Sequence, residues 1–126
     1  MKKIKKFIVR LSKSNKYIKK VLKSIIRKRN SHWYHQFCKE NKIHNKMIVF
    51  ESFMGRKYAD SPQAIYEEMI KDDYFNDFTF VWSFRKPQEK VTIPALNRAV
   101  LIKYRSKEFY NYYAKAKYIV SNSRID

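Results

Sequence analysis

At 126 residues the chain has room for one domain with a modest core, and 29 Lys and Arg against 11 Asp and Glu give it a net charge of +18. Its one cysteine, Cys38, leaves no internal disulfide and fits a reducing compartment. No apolar run approaches the roughly 18 residues of a spanning helix, and lysines break up any signal-peptide segment, so the expectation is a cytoplasmic protein.

The charge is uneven. Residues 1–30 hold 13 bases and no acid; the first acid is Glu40, and the remainder carries 16 bases against 11 acids, or +5. A mildly basic body therefore follows a strongly basic arm, and the two need separate explanations. The arm, residues 2–29, reads as an amphipathic helix. At about 100° per residue, Ile4, Phe7, Ile8, Leu11, Ile18, Val21, Leu22, Ile25 and Ile26 fall within an arc of roughly 140°. Lys2, Lys3, Lys5, Lys6, Lys19, Lys20 and Lys23 mostly fill the other side. Ser12, Ser14 and Asn15 interrupt the stripe and leave open whether the arm is one helix or two. A basic helix with an apolar face suits an anionic membrane surface, where each base contributes at most about 1 kcal/mol and the apolar face adds insertion energy. Packing on the rest of the protein and a nucleic-acid arm are the other readings.

Residues 31–45 contain His32, His35 and Cys38, spaced by three and so on one side of a helix, where they are possible zinc ligands. Trp33, Tyr34 and Phe37 favour a linking helix or an interfacial aromatic belt instead. The chain thus divides into an arm and linker, 1–45, and a body, 46–126.

The body is organised around the stretch Met47 to Pro62. Met47 to Phe50 is a short apolar run, and a strand is expected over about 47–53. Gly55, the only glycine, marks a backbone position needing positive φ or close approach to something. Ser61 followed by Pro62 reads as a helix start, a hydroxyl cap and then proline in the first turn, with the helix running to about Lys71. Phe78 to Phe84 is a second strand, and 87–97 a loop with two prolines. Ala99 to Tyr104 is a third strand. Ser106 caps a helix from Lys107 to about Ala116, and Tyr118 to Ser121 is a fourth strand. The alternation predicts an α/β fold with a parallel sheet covered by helices. A doubly wound domain would continue beyond the fourth strand, which suggests an incomplete chain.

From about Lys46 to Ile125 the sequence resembles the N-terminal part of the CDP-glycerol glycerophosphotransferases, which build or prime the poly(glycerol phosphate) chains of teichoic acids. One block carrying the resemblance is Phe50-Glu51-Ser52-Phe53, Gly55, Tyr58, Asp60-Ser61-Pro62 and Ala64-Ile65-Tyr66. The other, looser one is Lys103-Tyr104, Ser106, Tyr113, Ala116-Lys117-Tyr118-Ile119-Val120 and Asn122-Ser123-Arg124. The resemblance implies a Rossmann-like, acceptor-side domain, half of a two-domain GT-B-like enzyme. It implies transfer of glycerol phosphate from CDP-glycerol to a hydroxyl on a lipid-linked primer or polymer, with CMP leaving, at the cytoplasmic face of the plasma membrane.

In the family the base is a histidine in a Trp-His-Gly-Thr block. That block is absent from this sequence, and His32, His35 and His44 lie upstream of the matching region. No catalytic residue is therefore assigned, and this piece alone is expected to be inactive, with CDP-glycerol bound through a part not present here. No cofactor or metal is implied. Candidate acceptor or phosphate contacts are Glu51, Ser52, Gly55, Tyr58, Asp60, Ser61, Asn122, Ser123 and Arg124, although the carboxylate of Asp60 works against a phosphate and better suits capping of the helix that follows it. The alternative function, favoured by charge alone, is a small basic nucleic-acid-binding module. Binding that vanishes with salt and has no lipid preference would mark it.

Overall fold

A computed structural model describes residues 16–123, with side chains from Lys19 onward. Lys2, Lys3, Ile4, Lys5, Lys6, Phe7, Ile8, Leu11 and the possible break at Ser12 to Asn15 lie outside the described residues, as do Arg124 and the side chain of Ile18. Two compact units are present, Met1–His32 and Trp33–Asp126. Helix α1, Lys16–Glu40, is continuous. No described helix is long and apolar enough to cross a membrane.

The body holds four strands and two helices: β1 His44–Glu51, α2 Asp60–Lys71, β2 Thr79–Phe84, β3 Ala99–Lys103, α3 Lys107–Lys115 and β4 Ala116–Ser121. All strand pairs are parallel and the order is β3-β2-β1-β4. The expected parallel α/β sheet is therefore present.

β1 is central and buried on both faces, and its alternation sorts the core into two layers. Ile48 and Phe50 pack on one face with Phe80, Trp82, Phe84, Leu96 and Tyr66 of α2. Met47 and Val49 pack on the other with Val81, Ile102, Phe109 and Tyr113 of α3. Trp82 is the centre of the first layer. Phe50 and Phe84 stack on it at 5.3 and 5.5 Å, with Tyr66 edge-on at 5.6 Å. The Tyr66 hydroxyl donates to Ala95 O at 2.6 Å, and burial pushes its pKa up to about 12. The β2–β3 crossover uses short 3-10 turns, Pro87–Glu89 and Pro94–Arg98, in place of an α-helix. Leu96 from the second turn fills the space an α-helix would cover.

Ser106 caps α3 as expected. Its Oγ accepts from Phe109 N at 3.2 Å and donates to Lys103 O at 2.7 Å. Ser106→Ala should cost about 1 kcal/mol, read as a lower urea midpoint at unchanged slope. The start of α2 differs from expectation. The helix begins at Asp60 behind Ala59, with no side-chain cap, so neither Ser61 nor Asp60 caps it. Asp60 sits at φ 61° and turns its carboxylate to another partner. β1 also ends two residues early, because Phe53 at φ 48° has already left the extended region.

Trp33 lies 6.3 Å from the ring of Tyr110, and Asn41 Nδ2 donates to Asn111 Oδ1 at 3.0 Å. Trp33 near the end of α1 and Asn41 just after it thus both contact α3. Among the described residues no group of three His, Cys, Asp or Glu is placed to hold a metal.

Candidate functional site at the carboxyl end of the sheet

Parallel strands bring the loops after β1, β2, β3 and β4 to one end. In open α/β sheets, ligands bind there, beside the point where the chain reverses its direction of travel across the sheet. Here that point lies between β1 and β4: β1 feeds α2 on one face, and α3 on the other face feeds β4.

The two sequence blocks that carry the family resemblance meet at this point. Asn122 Oδ1 accepts from Phe53 N at 2.8 Å, and its Nδ2 donates to Asp60 Oδ2 at 2.9 Å. One amide therefore holds both ends of the loop between β1 and α2. Ser123 Oγ adds a bond to Asn122 Oδ1 at 3.2 Å. Ser52 Oγ donates to Ala59 O at 2.7 Å across the same loop. Tyr58 donates to Glu67 Oε1 at 2.8 Å, which with Gln63 draws the Glu67 carboxyl below its usual range.

Gly55 fulfils both sequence expectations. It has φ +83°, and a Cβ there would meet Tyr104 Cβ at 3.1 Å and Arg85 N at 3.2 Å. Its carbonyl accepts from Arg85 N at 2.8 Å.

Glu51 is buried at 3% exposure, on the α3 face, where the Tyr113 hydroxyl donates to its Oε1 at 3.1 Å. Burial pushes its carboxyl up; the Tyr113 bond and the charges of Arg105 and Arg85 pull it partly back. The Tyr113 phenol is in turn pushed far up by burial and by Glu51. A carboxyl raised in the folded state favours folding most fully below its unfolded value, 4.5 here, and that contribution is lost as pH rises through the folded value. Glu51→Gln keeps the acceptor for Tyr113 and removes the ionisation. The stability of the variant relative to the parent should therefore climb from pH 4 toward neutrality in urea titrations.

Of the residues named from sequence, Glu51, Ser52 and Gly55 are buried. Asp60, Asn122 and Ser123 are bonded to one another, Tyr58 is bonded to Glu67 of α2, and Ser61 is exposed. Sequence reasoning missed the cations beside them. Arg85 and Arg105 follow β2 and β3 and are exposed, and their guanidinium carbons lie 5.3 and 5.2 Å from the ring of Tyr104. Arg85 Nε donates to Met54 O at 3.0 Å. The available signal was a basic residue directly after each of two strands that a parallel sheet must end side by side.

The class defined by this arrangement is an α/β domain with a four-stranded parallel sheet, whose carboxyl end carries the exposed Arg85 and Arg105. Residues 12–126 match the family described as CDP-glycerol:poly(glycerophosphate) glycerophosphotransferase. The chain is similar to the teichoic acid poly(glycerol phosphate) polymerase of Staphylococcus epidermidis, at 36% identity over 117 residues, 91% of this chain and 16% of that protein. It is similar to the polymerase of the same description from Bacillus subtilis, at 33% over 87 residues, 66% of this chain and 11% of that one. Among solved structures, the wall teichoic acid polymerase TagF matches with a TM-score of 0.63 and 37% identity, over 83% of this chain and 25% of its own. A form of that polymerase soaked with CDPG matches with the same TM-score at 35% identity, over 26% of its own chain. The chain belongs to the CDP-glycerol:poly(glycerophosphate) glycerophosphotransferase family. It spans about a sixth or less of the length of these curated relatives.

Proposed function

We propose that this chain is the acceptor-side portion of a glycerophosphotransferase. The full reaction moves glycerol phosphate from CDP-glycerol to a hydroxyl on a membrane-linked teichoic acid primer or polymer, and CMP leaves. The single observation that carries the reading is the match to the polymerase fold over 83% of the chain at 37% identity. The four-stranded sheet is then part of a Rossmann-like half of a two-domain, GT-B-like enzyme. Residues 1–126 hold no Trp-His-Gly-Thr block, so by themselves they bind acceptor and transfer nothing.

The basic arm places the enzyme on the anionic, cytoplasmic face of the plasma membrane, where a lipid-linked acceptor is presented. Support comes from α1. Val21, Ile25 and Ile26 are 57, 56 and 46% exposed, on a helix that also exposes Lys19, Lys20 and Lys23. A solvated basic helix for nucleic acid has no use for three exposed branched side chains.

Co-sedimentation of the full chain with vesicles tests this, comparing neutral phosphatidylcholine with mixtures containing phosphatidylglycerol. The expected result is binding to anionic vesicles that falls at least tenfold in V21S/I25S/I26S, since each apolar side chain withdrawn from water contributes roughly 1.5–3 kcal/mol when fully buried. That variant keeps every charge. Undiminished binding by it, or no preference for anionic lipid, would remove the membrane role and favour a purely electrostatic partner such as nucleic acid.

A further inference from the structure

We infer that Arg85 and Arg105, both held against the ring of Tyr104, form a clamp for consecutive phosphates of the acceptor polymer. This rests on the acceptor-side reading above and gives it residues. Both residues are exposed and both guanidinium carbons lie over one ring, so the side chains are held without spending their outer N–H groups on protein partners. Among the described residues neither makes a salt bridge, and only Arg85 Nε has a hydrogen bond, to Met54 O. Two guanidinium groups held against one ring repel each other. Their sharing of one ring, with neither in an ion pair among the described residues, is favourable when an anion lies across both.

Three further observations converge on this end of the sheet. Every described residue at positive φ lies in the loops after β1 and β3 or at the first residue of α2: Phe53, Met54, Gly55, Asp60 and Arg105. Backbone strain of this kind persists where surrounding structure enforces it, and it gathers at ligand clamps. Arg105 itself, at φ 58°, is turned by such a residue conformation. Gly55, at its close approach to both Tyr104 and Arg85, sets the distance between the β1 loop and the clamp. Glu51 lies behind, on the α3 face, within the electrostatic reach of both arginines and buried away from the anion path. A glycerol phosphate polymer carries a phosphate in every repeat and so offers successive anions to the two arginines.

The test uses the full chain and a synthetic oligomer of glycerol phosphate, with dextran sulfate as a polyanion lacking that repeat. R85Q/R105Q is compared with K71Q/K117Q, which removes the same charge away from the clamp. The clamp predicts at least a tenfold weaker oligomer affinity for R85Q/R105Q and less than a twofold change for K71Q/K117Q. Dextran sulfate should weaken similarly in both. If R85Q/R105Q does not fold, R105Q alone decides, because Arg105 makes no hydrogen bond that folding would lose, and it should weaken the oligomer severalfold. Equal weakening in the two double variants, or an unaffected R105Q, overturns the clamp while leaving the acceptor-side reading in place. A parent chain that binds no oligomer overturns both.

Discussion

Trp82→Ala should destabilise the protein by about 3–5 kcal/mol, the range for emptying a large aromatic site. The indole is fully buried, with Phe50 and Phe84 stacked on it and Tyr58 and Tyr66 edge-on at 5.0 and 5.6 Å. Four rings cannot collapse into the space without leaving their rotamers, so most of the cavity would persist. A domain of this size has on the order of 5–15 kcal/mol in total, and the variant would lose a large share of it. Trp82→Phe should be much milder. Trp82 Nε1 is buried with no hydrogen-bond partner among the described residues. Removing that N–H relieves a penalty of about 1–3 kcal/mol, which offsets part of the lost packing. Urea midpoints by far-ultraviolet circular dichroism would rank parent, W82F and W82A in that order, with the larger gap before W82A. Equal losses for the two variants would contradict this account of the core.

Gly55→Ala should cost about 2–4 kcal/mol. Roughly 1–2 kcal/mol comes from placing a Cβ in the left-handed region. The rest comes from contacts at 3.1 and 3.2 Å with Tyr104 Cβ and the Arg85 backbone nitrogen, neither of which is the free end of a flexible side chain. The loss should be accompanied by weaker oligomer binding, because the same shift displaces Arg85 N from its 2.8 Å bond to Gly55 O. An alanine variant with parental stability would show that the loop relaxes freely.

These two residues also mark what could be read before the structure was seen. Gly55 was legible because a lone glycine after an apolar strand has few reasons to be there, and both proposed reasons hold. The Ser106 cap was legible because the side chain acts three residues away. The parallel α/β pattern was legible from alternation alone. The start of α2 was not: Ser61 and Pro62 look like a local cap, but Asp60 is captured by Asn122, 62 positions along the chain. Glu51 looked like a ligand contact because it stands at a strand end. Its burial follows from parity, which turns it to the α3 face where Tyr113, another 62 positions away, reaches it. The Arg85 and Arg105 pair was hidden for the same reason. Neither residue belongs to a periodic pattern, and only the β2–β3 register places both beside Tyr104.

Titration calorimetry of the full chain, with a glycerol phosphate oligomer in one experiment and CDP-glycerol in another, tests the acceptor-side account most directly. The account predicts saturable heat with the oligomer and none with CDP-glycerol. Saturable binding of CDP-glycerol without binding of the oligomer would contradict it and assign the domain to the donor.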